Sequence, residues 1–192
     1  MCYGLHQIIG DTIKIATING QGLSTLSKRL DVFDFYRKKC YSVLCLQDTH
    51  FVKENEPIVE TQWRFTCIFN SYKSNARGVC ILLSNNFEFK IHNIKKDEEG
   101  NFLAVDLTIE EYRVTLVNIY GPNSDQPGFF ENIRNIFLEL DNEYYILCGD
   151  FNLVLNQDLD TYNYANVNNP KAREKLLEIM DDLQIVDYFR VL

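Results

Sequence analysis

The chain has 192 residues, of which 46% are hydrophobic and 24% charged, with a formal net charge of −8. This composition supplies one buried core and excludes disordered, collagen-like and low-complexity classes; one domain over residues 1–192 is expected. The acidic balance argues against a protein that mainly grips polyphosphate without regard to sequence, although a metal-dependent phosphodiesterase needs carboxylates at its centre and can carry basic residues on a rim.

In chain order, the first eleven residues lack the basic start, apolar stretch and cleavage site of a secretory signal. Thr12 to Ile18 reads as a strand, β-branched and alternating; Gly20-Gln21-Gly22 breaks it, and Ser24 offers a helix cap. Leu26, Leu30, Phe33 and Tyr36 recur at helical spacing, predicting a helix from Ser24 to Lys39 with Lys28, Asp31 and Lys38 on the wet side. Ser42 to Gln47 is a nearly continuous apolar run, which suits a strand covered on both faces, and Asp48 lies just past its end.

Five further strands are expected at Arg64–Asn70, Gly78–Leu83, Phe87–His92, Phe102–Ile109 and Arg113–Ile119. The short polar links Asp97-Glu98-Glu99-Gly100 and Glu110-Glu111 make these antiparallel hairpins. A helix carrying Phe130, Ile133, Phe137 and Leu140 follows, then a buried strand from Tyr144 to Cys148, then a helix capped by Asn169-Pro170 and running to Leu183. Strands in two groups flanked by helices predict a four-layer α/β/β/α sandwich of two facing sheets.

Apolar runs such as Val79 to Leu83 fall far short of the ~20 residues that a bilayer span requires. Cys2, Cys40, Cys45, Cys67, Cys80 and Cys148 stand singly, mostly in apolar runs, without zinc-ligand spacing. Buried, reduced thiols follow, and with them an intracellular setting, the nucleus included, rather than secretion. The basic runs Lys28-Arg29, Arg37-Lys38-Lys39 and Lys95-Lys96 read as solvated faces or as a rim.

Four apolar strands end in hydrogen-bonding groups: Asn19-Gly20, Gln47-Asp48-Thr49-His50, Tyr120-Gly121-Pro122-Asn123 and Gly149-Asp150-Phe151-Asn152. Ligand sites of α/β sheets gather beyond the carboxyl ends of strands. If these ends converge, they form a cleft of carboxylates, amides and a phenol suited to a hard divalent cation and a phosphate. Singly each is weak. Gly-Asp-Phe-Asn is also common turn chemistry, Tyr120 could be a packed aromatic, and Asp48 a helix cap. The run into Asp150 mimics the magnesium strand of P-loop enzymes, but no Gly-x-x-x-x-Gly-Lys-Ser/Thr accompanies it.

Taken together, Ile15-Ala16-Thr17-Ile18-Asn19-Gly20, Leu46-Gln47-Asp48-Thr49-His50, Gly78-Val79-Cys80-Ile81-Leu82, Val117-Asn118-Ile119-Tyr120-Gly121-Pro122-Asn123 and Leu147-Cys148-Gly149-Asp150-Phe151-Asn152 resemble the exonuclease–endonuclease–phosphatase superfamily. Within it the chain is most similar to the apurinic-type endonuclease domain of LINE-like non-LTR retrotransposons. The resemblance implies hydrolysis of DNA phosphodiesters with Mg2+, Mn2+ being a possible substitute, DNA as partner and no small-molecule cofactor. It implies Asp48 as metal ligand in place of the family's Glu, Asp150 as the group that orients or deprotonates water, Asn152 and Tyr120 at the scissile phosphate, and Asn19 and Asn123 as substrate contacts.

Two departures bear on activity. Thr17 stands where the family's first motif has Asn, and the closing strands with a Ser-Asp-His element have no counterpart before Leu192. The expectation is an endonuclease architecture, C-terminally truncated, with weak or absent turnover. The alternatives are a catalytically silent remnant or nucleic-acid-binding module, and a phosphodiesterase or phosphatase acting on small phosphoesters. Of the histidines, His50 reads as a polar loop residue, and His6 and His92 as ordinary surface or strand residues.

Overall fold

A strand's two-residue period sends one set of side chains between two sheets and the other set outward under helices. The computed structural model describes residues 13–161 and 168–188 and builds this pattern twice. Strands β1 (Ile15–Asn19), β2 (Val43–Gln47), β3 (Thr66–Asn70) and β4 (Val79–Leu83) form a sheet in the order β1-β2-β4-β3. Strands β5 (Phe89–Lys96), β6 (Phe102–Ile109), β7 (Tyr112–Tyr120) and β8 (Tyr144–Asp150) form the other, in sequence order. Among the described residues β1–β2 and β7–β8 are parallel, and β2–β4, β3–β4, β5–β6 and β6–β7 are antiparallel.

The inner layer is aliphatic: Val43, Cys45, Ile81 and Leu83 meet Val105, Leu107, Leu116 and Ile146. Outside the first sheet lie α1 (Leu26–Lys38) and α2 (Glu56–Trp63), where Phe33 and Trp63 pack edge to face with ring centroids 5.4 Å apart over Leu44 and Leu82. Outside the second lie α3 (Pro127–Leu140) and α5 (Pro170–Asp182), covering Leu147 and Phe151, with the short α4 (Gln157–Asp160) between them in sequence. The four-layer α/β/β/α sandwich and both predicted hairpins are present. No helix among the described residues is long and apolar enough to cross a membrane.

Several local expectations are corrected. Helix α2 has no apolar periodicity that predicts it; Val59 and Trp63 hold it by burial, and Arg64, placed at a strand start from sequence, is its left-handed C-cap at φ 76°. Ser24 caps nothing: Thr25 is the N-cap of α1 and the Ser24 hydroxyl donates to His50 O. Leu26, assigned to the packed face, is exposed, while Arg29 is buried and donates to the Leu23 and Ser24 carbonyls and to Gln62 Oε1. Arg29 is therefore not a rim residue. Asn169 does not cap α5 with its side chain; the Asp125 carboxylate, on the loop after β7, accepts from Lys171 N and Ala172 N. Strand β5 runs on through a bulge at His92 to Lys96. Cys40 is exposed, while Cys45, Cys80 and Cys148 are buried thiols. Cys2, His6 and most of the segment after Asp187 lie outside the described residues.

At one end the inner layer stops being apolar. Asn118 of β7, fully buried, donates to Leu46 O at 2.9 Å and Cys80 O at 3.1 Å on the facing sheet. Its Oδ1 accepts from Gln47 Nε2 at 2.6 Å, and the same nitrogen reaches Thr17 Oγ1 at 2.9 Å. Buried amides bonded in this way specify how two faces meet, because leaving one unpaired costs about 1–3 kcal/mol. Asn118→Leu keeps the branched shape and removes the three bonds that Asn118 makes to Leu46 O, Cys80 O and Gln47 Nε2. Urea unfolding is expected to show a loss of about 1–3 kcal/mol, whereas an unchanged midpoint would make the network incidental.

Candidate active site

The alternation that fills the core also delivers the site. Stepping by two along the inner face gives Ile15, Thr17, Asn19 on β1; Cys45, Gln47 on β2; Leu116, Asn118, Tyr120 on β7; and Ile146, Cys148, Asp150 on β8. In each case the last inward residue is polar and stands at the same end of the sandwich.

Backbone hydrogen bonds join these strand ends. Gly20 N donates to Gln47 O (2.7 Å), Thr49 N to Gly78 O (3.0 Å), Gly78 N to Gly100 O (3.1 Å), Tyr120 N to Asn101 O (2.6 Å) and Gly121 N to Asp150 O (2.7 Å). The close approach needs small residues. A Cβ on Gly149, at φ +135°, would stand 2.0 Å from Ile119 O, and one on Gly121 would stand 2.3 Å from Phe151 O. Gln21, Asp48, His50, Arg77 and Asn152, all in these loops, hold positive φ without being glycine. Such conformations persist where surroundings over-determine them and gather at functional sites.

Asp150 has both carboxylate oxygens engaged: Oδ2 accepts from Asn19 Nδ2 at 2.7 Å, across the two sheets, and Oδ1 accepts from Asn152 N at 3.1 Å. The Asn19 Oδ1 accepts from Gln21 N, which fixes the amide's orientation. Asn152 Nδ2 donates to Gly121 O at 2.6 Å. Asp48 Oδ1 accepts from His50 Nε2 and from Arg77 N, both at 3.0 Å, and its Oδ2 has no partner among the described residues.

Tyr120 ties the cluster together. Burial first, then the charges of Asp48 and Asp150, raise its phenol above the ordinary value of 10.0, with the Asn152 amide and Arg77 acting in the opposite direction. All four groups therefore lie within electrostatic reach of one hydroxyl, which stays protonated near neutral pH. Asn123 is exposed on the rim of a cleft of about 280 Å3 whose lining also includes Arg77, Glu99, Asn101, Tyr120 and Gln126.

The structure thus brings Asn19, Asp48, Tyr120, Asp150 and Asn152 together, with Asn123 at the mouth. Thr17 is turned into the polar network behind them and bonded to Gln47. His50 does more than fill a loop, since its ring touches Asp48. Arg77, Glu99 and Asn101 also line this end, although none of them follows the carboxyl end of a strand that the sequence pattern singles out. β4 and β6 are antiparallel to β2 and β7, so the residues preceding them reach the same end. A lone arginine ahead of a buried strand, Arg77-Gly78-Val79, was the available signal.

Among the described residues no group of three or more His, Cys, Asp and Glu forms a metal cage. The oxygen donors present, with the free Oδ2 of Asp48, fit a hard cation of the magnesium kind, which keeps several waters and takes one or two carboxylates together with substrate phosphate.

No protein-family model matches the chain. It is 27% identical over 185 residues to the transposon TX1 149 kDa protein of Xenopus laevis, covering 93% of this chain and 14% of that protein. It is also 27% identical over 197 residues to an exodeoxyribonuclease of Bacillus subtilis, covering 93% of this chain and 75% of the relative. The fold is similar to that of the AP endonuclease LMAP from Leishmania major, with a TM-score of 0.74 at 22% identity over 93% of this chain and 68% of the other. Architecture and sequence similarity together fit the exonuclease–endonuclease–phosphatase superfamily. The transposon protein and the exodeoxyribonuclease are its sequence relatives here, and the AP endonuclease shares its fold.

In metal-free protein, Asp48→Asn removes one of the charges that raise Tyr120, so the phenol's absorbance titration, read as the difference from Tyr120→Phe, is expected to fall toward 10.0. A titration that Asp48→Asn leaves in place would separate the two residues.

Proposed function

We propose that the chain is a metal-dependent phosphodiesterase acting on DNA, of the apurinic and retrotransposon endonuclease type. One observation carries this reading: the Asp150 carboxylate, paired in register with Tyr120 across β7 and β8, is fixed by Asn19 from the facing sheet and by the Asn152 backbone. The similarity to an exodeoxyribonuclease and to the fold of an AP endonuclease supports DNA as the substrate class.

Asp150 accepts the proton of the attacking water. Each of its oxygens spends one acceptor site on Asn19 or Asn152 and keeps another, so the carboxylate is oriented without being saturated. Tyr120 donates from its neutral hydroxyl to a phosphate oxygen as negative charge builds there, and the Asn152 amide stands beside it. Asp48, with Asp150 close by, would hold Mg2+ or Mn2+, which when bound supplies positive charge against that same build-up. Asn19 acts through Asp150, and Asn123 meets the substrate at the cleft mouth.

Slow turnover is part of the proposal. The Thr17 hydroxyl is held by Gln47, and His50 is held by Asp48, so neither is presented to a phosphate. An intracellular setting suits the buried thiols of Cys45, Cys80 and Cys148.

Nicking of supercoiled plasmid in Mg2+ tests the reading. The chain is expected to nick slowly, EDTA to stop it, and Asp150→Ala to lower the rate by about a hundredfold to ten-thousandfold. Nicking that survives Asp150→Ala would remove this residue from the chemistry. Hydrolysis of a soluble phosphoester but not of duplex DNA would move the substrate class.

A further inference from the structure

Two carboxylates at the centre of the site and a chain of net charge −8 repel a phosphodiester. Of the described residues lining the 280 Å3 cleft, Arg77 alone is cationic. Its backbone cannot move far: at φ 59° its N–H is bonded to Asp48 Oδ1 and its carbonyl accepts from His50 N at 2.9 Å. Its side chain, by contrast, is held only by surface contacts. The guanidinium lies over the Tyr72 ring, 5.4 Å from the centroid, and NH1 donates to Glu99 Oε2 at 2.5 Å. Side-chain exposure is 39% for Arg77 and 61% for Glu99, so this ion pair is screened by water and contributes little to stability.

A guanidinium matches a phosphate's two non-bridging oxygens with two parallel donors, which a single contact to one Glu99 oxygen does not use. We propose that Arg77 is the phosphate-binding cation of this site and that Glu99 holds it in the absence of substrate, so that DNA binds by exchanging the Glu99 carboxylate for a backbone phosphate. This inference rests on the proposed nuclease function. It predicts opposite signs for the two partners: removing Arg77 weakens DNA binding, and neutralising Glu99 strengthens it through Arg77.

The test is fluorescence anisotropy of a labelled duplex oligonucleotide with the full chain in EDTA, which prevents turnover, at several salt concentrations. Arg77→Ala is expected to weaken binding about tenfold and to reduce the salt slope by about one. Arg77→Gln, which keeps bulk over Tyr72, should do the same if the alanine variant folds poorly. Glu99→Gln should tighten binding about threefold, and this gain should vanish in the Arg77→Gln background, as a double-mutant cycle requires of coupled partners. Unchanged affinity and salt slope in both Arg77 variants would overturn the inference while leaving nicking, and so the nuclease reading, intact. A Glu99→Gln gain that persists without Arg77 would overturn the exchange. A chain that neither nicks plasmid nor binds the duplex would overturn the nuclease reading and this inference with it.

Discussion

The site depends on how the inner layer ends. Two facing sheets with aliphatic interiors can slide or splay, because hydrophobic contact has no direction. Asn118 removes that freedom by bonding a β7 side chain to the backbone of β2 and β4 on the opposite sheet, and Gln47 links its carbonyl oxygen to the Thr17 hydroxyl. The network is buried and satisfied, so any shift of one sheet over the other breaks several bonds at once. Asn19, Tyr120 and Asp150 are the next inward residues beyond Thr17, Asn118 and Cys148. Their mutual geometry is inherited from the network beneath them, and the Asn19–Asp150 bond across the sheets is one result.

On the proposed reading, the electrostatics of the cleft would resolve the conflict between an acidic protein and a polyanionic substrate. Net charge sets the far field, but binding is decided where the phosphate sits. On that reading, the neutral donors there are Tyr120 and several amides, and Arg77, with a hard cation when one is bound, would offset Asp48 and Asp150. The carboxylates make Tyr120 harder to ionise, which preserves it as a donor. The basic runs conspicuous in the sequence lie elsewhere. Arg29 and Arg37 are spent on carbonyls of α2 and of the turn before α1, and Lys95 pairs with Glu139.

Much of this was legible in the sequence because strand periodicity is regular and the polar strand ends interrupt it. Asn19, Tyr120 and Asp150 could be placed on one face by counting in twos once each strand was recognised. Asp48 and Asn152 could not be oriented by counting, since both lie beyond the strands at positive φ, where period two no longer applies. Arg77 was hidden by topology: it shares an end with Asp48 because β4 pairs antiparallel with β2, a pairing that hydrophobic pattern does not report. Asn101, by contrast, precedes β6, whose antiparallel pairing with β7 the short Glu110-Glu111 link already implies. Helix α2 was hidden for another reason. Pro57, Ile58, Val59 and Thr61 are poor helix formers, and the segment is helical because Trp63 and Val59 are buried against the first sheet.

On the proposed reading, Asp48 would serve where the resemblance implies a longer Glu. A Glu could swing its carboxylate through an extra torsion, whereas Asp48 is fixed by its backbone. The left-handed conformation, tolerated by Asp at modest cost, lets both Arg77 N and His50 Nε2 reach one oxygen. The other oxygen is left free and aimed by the first. Orientation thus replaces reach, and the strain at Asp48, His50 and Arg77 is distributed over a loop that the Thr49–Gly78 and Gly22–Asp48 backbone bonds already hold closed.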